Sequence, residues 1–182
     1  MTKITYLINI IAGPGAGKTT IAALLFANLK LRGYVTEYVQ EFAKNLVWLR
    51  DFNKLNNQYY VSCKQYMLLK QIDGQVDFII TDGTILHGLY YNRHNRDNTS
   101  NIEKTEEFIL NCHNEFKNIN IFLDRHGFKY ETQDRLQTEE EAKEIDIIIK
   151  HMLKQNNIPY VTFTSSPTCI DEMIEYIIKQ LD

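Results

Sequence analysis

A mainly apolar run from Ile4 to Ile11 opens the chain and predicts a strand. After it, Ile21, Leu24, Leu25, Phe26 and Leu29 recur at helical spacing, so a helix is expected from about Gly17 to Leu31, with Gly33 as its stop. Tyr34 to Val39 alternates with β-branched and aromatic residues and predicts a second strand. A helical pattern resumes over Glu41–Trp48. A polar turn through Asp51, Asn53, Asn56 and Asn57 then separates it from a longer helix, about Gln58 to Ile72, closed by Gly74. Val76–Asp82 is short and apolar, as a strand buried on both faces is. Tyr90–Asn101 is polar and reads as a loop, and Ile102–Phe116 as a helix leading into a fourth strand at Ile119–Leu123. Residues 126–137 have no periodicity. Thr138-Glu139-Glu140-Glu141 is a capping box that starts a helix reaching about Gln155. Tyr160–Phe163 is a fifth strand, and Pro167 opens a last helix ending near Leu181. Strands alternate with helices, which predicts a three-layer α/β fold with a five-stranded parallel sheet.

Composition narrows the class without changing that picture. The 182 residues, 44% hydrophobic and 24% charged, suit one folded domain over 1–182. A net charge of −3 argues weakly against a uniformly basic surface for duplex DNA. Cys63, Cys112 and Cys169 are widely spaced with no C-x-x-C pair, so neither a disulfide framework nor a zinc site is indicated. No signal-peptide pattern and no membrane-length apolar run is present, and a reducing, cytoplasmic setting is expected.

The candidate chemistry centres on Ala12-Gly13-Pro14-Gly15-Ala16-Gly17-Lys18-Thr19-Thr20, between the first strand and the first helix. Glycines let a backbone curl with its N–H groups inward, and a helix N-terminus adds positive potential, so this stretch predicts a phosphate-binding loop. Its pattern departs at one place, where Ala12 stands for the first glycine of G-x-x-x-x-G-K-[ST]. Lys18 would reach the β- and γ-phosphates, and the Thr19 hydroxyl would ligate Mg²⁺. Ligands of open α/β sheets bind at the carboxyl ends of strands. Asp82 ends the third strand, where a carboxylate can hold the metal's water shell; capping the helix after Gly83-Thr84 is its alternative role, and the two are compatible. Glu41 lies just past the second strand and is the candidate base for an acceptor hydroxyl, against the alternative of a favourable acid at a helix start. Glu37 reads as surface.

Arg125 and Arg135 bound an excursion, about 125–137, that reads either as a lid carrying cations to the transferring group or as a solvated loop. Tyr91–Asp97, with Arg93 and Arg96, is a second basic loop suited to an acceptor phosphate, a nucleic-acid backbone or neither. Trp48, Tyr59, Tyr60 and Tyr66 either stack on an acceptor base or belong to the core. His87, His113 and His151 have no ligand-like spacing.

With the loop, Thr81-Asp82 and the Arg125-to-Arg135 segment before Thr138-Glu139-Glu140-Glu141-Ala142, the chain resembles small bacteriophage P-loop kinases often labelled AAA-family ATPases. These are similar to the nicotinamide riboside kinase domain of bacterial NAD-metabolism proteins and to nucleoside and nucleotide kinases. The segment Thr36–Trp48, with its acid, Ala43-Lys44 and Leu46-Val47-Trp48, looks like the corresponding family segment. The resemblance implies a P-loop NTPase fold with a lid, ATP and Mg²⁺ as cofactors, and a nucleoside- or nucleotide-like acceptor near Glu41. It also implies a host-cytoplasm location if the chain is phage-encoded. Thr81-Asp82-Gly83-Thr84 stands where relatives commonly carry Ser-Pro after the aspartate. Phage relatives include kinases of hydroxymethylated pyrimidines in DNA, so a polynucleotide kinase gripping its substrate with Arg93, Arg96 and Lys129 is the alternative. It predicts affinity that falls steeply with salt. A nucleotide-driven ATPase switch is a further alternative. The expected functional set is Gly13, Pro14, Gly15, Ala16, Gly17, Lys18, Thr19 and Thr20 on the nucleotide, Thr19 and Asp82 on the metal, and Lys18, Glu41, Asp82, Arg125 and Arg135 in catalysis.

Overall fold

The computed structural model describes residues 3–125 and 138–181. Strands β1 (Tyr6–Ile11), β2 (Thr36–Val39), β3 (Phe78–Thr81), β4 (Lys117–Asp124) and β5 (Val161–Thr164) form one sheet in the order β2-β3-β1-β4-β5. Every pairing is parallel; β1 sets Ile8 beside both Ile80 and Ile119. The α/β expectation with a five-stranded parallel sheet is met.

Period-two alternation along β1 sends successive side chains to opposite layers. Ile8 and Ile10 enter a cluster with Ile80, Ile121 and Leu123 that is closed by helices α1 (Lys18–Leu31) and α8 (Ile170–Ile178). Leu7 and Ile11 point the other way. There they meet α4 (Gln58–Lys70), α5 (His87–His94), α6 (Ile102–Asn114) and α7 (Glu139–Gln155) through Leu69, Leu89, Ile109 and Ile145. Each fully buried side chain of this kind, such as Phe78 or Phe122, contributes roughly 1.5–3 kcal/mol. Edge strands β2 and β5 mix buried and open positions, whereas β3 is buried throughout. Because β3 and β4 lie on opposite sides of β1, the crevice at the carboxyl end of β1 is where the winding reverses, and a ligand site is expected there.

Three differences from the sequence reading have local causes. Tyr90–His94 is helical and not loop, because its polar residues find partners within α5 and on α6. Tyr90 stacks on His94 one turn later with ring centroids 4.4 Å apart, and buried Asn92 donates to the Ile102 carbonyl at 2.9 Å. Gly88 lets α5 press against α4, since a Cβ there would sit 2.6 Å from Ser62 Oγ. Within the polar turn after α2 (Phe42–Leu49), Asp51 caps a one-turn helix, α3 (Phe52–Leu55). Pro167 opens a 3-10 turn, and α8 begins only at Ile170. The capping box forms as read: Thr138 N donates to Glu141 at 2.7 Å and Glu141 N to Thr138 Oγ1 at 3.2 Å. Among the described residues no helix is long and apolar enough to cross a membrane.

Candidate active site at the carboxyl end of the sheet

The loop leaving β1 turns on Gly15 (φ 76°) and Gly17 (φ 80°), both in the left-handed region where a side chain would be strained. Lys18 then begins α1, whose first turn carries no acid, so its N–H groups and dipole keep their positive potential for an anion. The Lys18 ammonium donates back across the loop to the Gly13 carbonyl at 2.9 Å. Burial lowers its pKa, an effect opposed by Glu41 and Asp82 and reinforced by Arg125. Ala12 is 1% exposed and its methyl packs into the α1 core, so the departure from the motif is absorbed. Close backbone approach falls instead at Gly13, where a Cβ would lie 2.9 Å from Asp146 Oδ1 and 3.0 Å from the Ala142 carbonyl. Ser165, just past β5, donates to the Ala16 carbonyl and props the loop from behind. Pro14 and Gly15 are half-buried, and Thr19 and Thr20 are exposed on the first turn of α1.

Asp82, buried at the end of β3, works as a fork. One carboxylate oxygen accepts the Thr19 hydroxyl at 2.6 Å and the other accepts the Glu41 N–H at 3.1 Å. The capping alternative does not hold, since Leu86 occupies the N-cap of α5. Gly83 explains how Glu41 comes so near: a Cβ on it would lie 2.4 Å from Glu41 Cα. Glu41 takes the N-cap position of α2 without using its side chain as a cap, so the helix-start alternative leaves its carboxylate unspent. Burial raises the Glu41 pKa, Lys18 and Lys44 pull it down, and Asp82 pushes it up. Two phenols share the neighbourhood. Burial, then the charge of Asp82, raises the pKa of Tyr38; burial, then Glu41, raises that of Tyr91.

Arg125 stands at the end of β4 and its guanidinium pairs with Asp146 of α7. Arg135, Lys129 and the remainder of the expected lid, residues 126–137, lie outside the described residues. The second basic segment is not a free loop: Arg93 forms a two-pronged pair with Glu106. Glu37 is exposed and pairs with Lys30 at 3.5 Å. Tyr66 belongs to a ring cluster with Phe108 and Phe116 and donates to Glu115 at 2.8 Å. Tyr59 packs on Phe108 and Tyr60 on Phe42, whereas Trp48 is 70% exposed.

The sequence reading missed Asp146, Gln65 and His87. Asp146 falls one turn after Ala142 in the buried stripe Ala142, Ile145, Ile149, and an acid in that stripe was the available signal. Gln65 is buried on α4, takes the Phe42 N–H at 2.7 Å and donates to the Gln40 carbonyl at 3.3 Å, fixing the backbone on both sides of Glu41. His87 is buried at the start of α5, and burial together with Lys18 holds its pKa well below the usual range.

A family profile described as an AAA domain matches residues 7–168, from β1 through the loop and both carboxylates to the turn before α8. The chain belongs to this AAA-domain family. No curated protein matches it in sequence. Among solved structures, the AAA domain is similar to deoxyadenosine kinase from M. mycoides with products dCMP and a flexible dCDP bound, at a TM-score of 0.57 and 22% identity over 96% of this chain and 98% of that one. At that identity the likeness shows the P-loop NTPase fold.

Proposed function

We propose that this AAA domain, residues 1–182 acting as one unit, is a phosphotransferase that moves the γ-phosphoryl group of ATP to a hydroxyl of a small nucleoside- or nucleotide-like acceptor. The observation that carries the reading is the Asp82 fork, which joins the Thr19 hydroxyl of the phosphate loop to the backbone of Glu41. One carboxylate thus ties the donor site to the group best placed to take an acceptor's proton. The deoxyadenosine kinase likeness, a fold that in that protein serves a nucleoside kinase, supports the same reading.

The residues divide the work. Loop N–H groups and the α1 terminus seat the phosphates, and Lys18 offsets charge on the transferring group. Thr19 and Asp82 present hard oxygens of the kind Mg²⁺ takes. Among the described residues no three His, Cys, Asp or Glu side chains group around a common point, so a Mg²⁺ here would draw its remaining ligands from phosphate and water. Bound there, it would draw charge from the phosphates. Glu41 accepts the hydroxyl proton as the acceptor oxygen bonds to the γ-phosphorus and the bond from that phosphorus to the bridging oxygen breaks, releasing ADP. A raised pKa makes its carboxylate a better base near neutrality.

The acceptor side favours a hydroxyl over a second phosphate. It gathers two carboxylates, Glu41 and Asp82, and two phenols, Tyr38 and Tyr91. An acceptor presenting a phosphate oxygen as the attacking group would meet repulsion there. A polymer reading loses one of its grips, because Arg93 is already matched by Glu106. The test is transfer of labelled γ-phosphate from Mg·ATP to nucleosides, nucleoside monophosphates, nicotinamide riboside and oligonucleotides with and without hydroxymethylated pyrimidines. Label on a nucleoside-like hydroxyl is expected; label confined to oligonucleotides, or release of free phosphate alone, would contradict the reading.

A further inference from the structure

Asp146 has no part in the motifs of the phosphate loop, yet its carboxylate accepts a hydrogen bond directly from that loop at Gly13. It sits on α7 in line with buried Ala142, Ile145 and Ile149, where a lone carboxylate would be costly. Its side chain is 13% exposed, as is that of Arg125. Oδ1 accepts the Gly13 N–H at 2.6 Å and a guanidinium N–H of Arg125 at 3.3 Å, while Oδ2 accepts the Arg125 Nε–H. The same guanidinium also donates to the Ala142 carbonyl at 3.3 Å. The loop backbone is pressed onto this pair so closely that a Cβ on Gly13 would fall 3.0 Å from the guanidinium. Both charges are felt at Lys18, Asp146 raising and Arg125 lowering its pKa.

We propose that Asp146 is a positioning residue of the nucleotide site: it fixes the leading edge of the phosphate loop through Gly13 and holds Arg125 beside the phosphates, and the pair acts as one charge-balanced unit. The inference rests on the phosphotransferase reading for its catalytic consequence, but its binding consequence is independent of any acceptor. Arg125 alone is a cation next to an anion site, and Asp146 alone is an anion facing it. Removing the arginine leaves a partly buried carboxylate aimed at the triphosphate, a repulsion that removal of the carboxylate cancels. Asparagine at 146 keeps an oxygen for the Gly13 N–H and deletes the charge; alanine deletes both. A residue that only packed α7 against the sheet would show no such sign reversal.

The experiment is a double-mutant cycle on Mg·ATP affinity by calorimetry, with melting curves for each variant, using the full chain. Arg125→Ala is expected to weaken ATP binding by about tenfold, and Arg125→Ala/Asp146→Asn to recover most of that loss. Asp146→Asn alone should bind ATP as tightly as the parent, and with an acceptor in hand it should lower kcat while leaving KM for ATP within about threefold. Asp146→Ala should weaken binding where Asp146→Asn does not. Recovery in the double variant also demonstrates that it folds. Losses that simply add, or an Asp146→Asn protein weakened as much as Arg125→Ala, would overturn the proposal. A parent protein that binds ATP but labels no acceptor would overturn the phosphotransferase reading and leave the affinity cycle fully readable.

Discussion

On the proposed donor side of the crevice, loop N–H groups, Lys18 and the Arg125–Asp146 pair surround the place proposed for phosphate; on the proposed acceptor side, Glu41, Asp82, Tyr38 and Tyr91 gather carboxylates and phenols. The donor side is made largely of backbone held in place by its neighbours, and its one acid beyond Asp82 is matched by an arginine. The acceptor side is made of side chains, and burial raises the pKa of Glu41, Tyr38 and Tyr91 among them. Phosphoryl transfer needs this asymmetry, because positive potential must lie where charge accumulates and a base where a proton leaves. Asp82 belongs to both sides, which makes the geometry of one depend on the other.

The comparison can be broken first at its cationic pole. Lys18→Ala should reduce phosphotransfer by about 10²–10³-fold, measured as labelled γ-phosphate turnover. Asp82→Asn acts on the hinge between the sides and should cost about 10–100-fold in activity, with a higher Mg²⁺ requirement seen in a metal titration. Gly83→Ala pushes a methyl toward the Glu41 backbone; about 1–3 kcal/mol of stability should be lost, read as a fall of about 2–4 °C in melting temperature for each kcal/mol.

A smaller effect sharpens the acceptor side through its protonation. A folded pKa raised above its unfolded value means that the native state binds the Glu41 proton more tightly than the unfolded chain does. The linked stability is therefore present below the ordinary carboxylate range and is lost as pH rises through the folded pKa. At neutral pH the ionised Glu41 costs stability, so Glu41→Gln should raise the melting temperature there, and the gain should vanish in acid. Least of all should follow from Arg93→Ala: its exposed pair with Glu106 contributes no more than about 1 kcal/mol, and neither turnover nor its salt dependence should change.

The donor side was legible because it obeys a local rule. Strand, glycines, lysine and threonine occupy consecutive positions, and local geometry dictates the loop. Asp82 and Glu41 were legible as strand-end acids, although their meeting through one carboxylate depends on Gly83, whose role appears only when two segments 41 residues apart approach. The Tyr90–His94 helix escaped notice because its polar residues hide any apolar stripe and are satisfied by neighbours such as Ile102. The buried face of α4 is likewise polar, with Gln58, Ser62 and Gln65 at helical spacing, so a hydrophobic pattern could not reveal what it faces. Asp146 was visible as an acid among Ala142, Ile145 and Ile149 but acquires meaning only from Gly13 and Arg125.

The most direct test of the account is the pH profile of kcat for the parent and for Glu41→Gln, on whichever hydroxyl acceptor takes label, with Mg·ATP affinity measured alongside. The account predicts an acid limb displaced above the ordinary carboxylate range in the parent. In Glu41→Gln that limb should be absent, turnover should fall by about 10²-fold, and ATP affinity should be nearly unchanged. Turnover by Glu41→Gln at the parent rate, with the same acid limb, would contradict the central claim that this carboxylate takes the acceptor's proton.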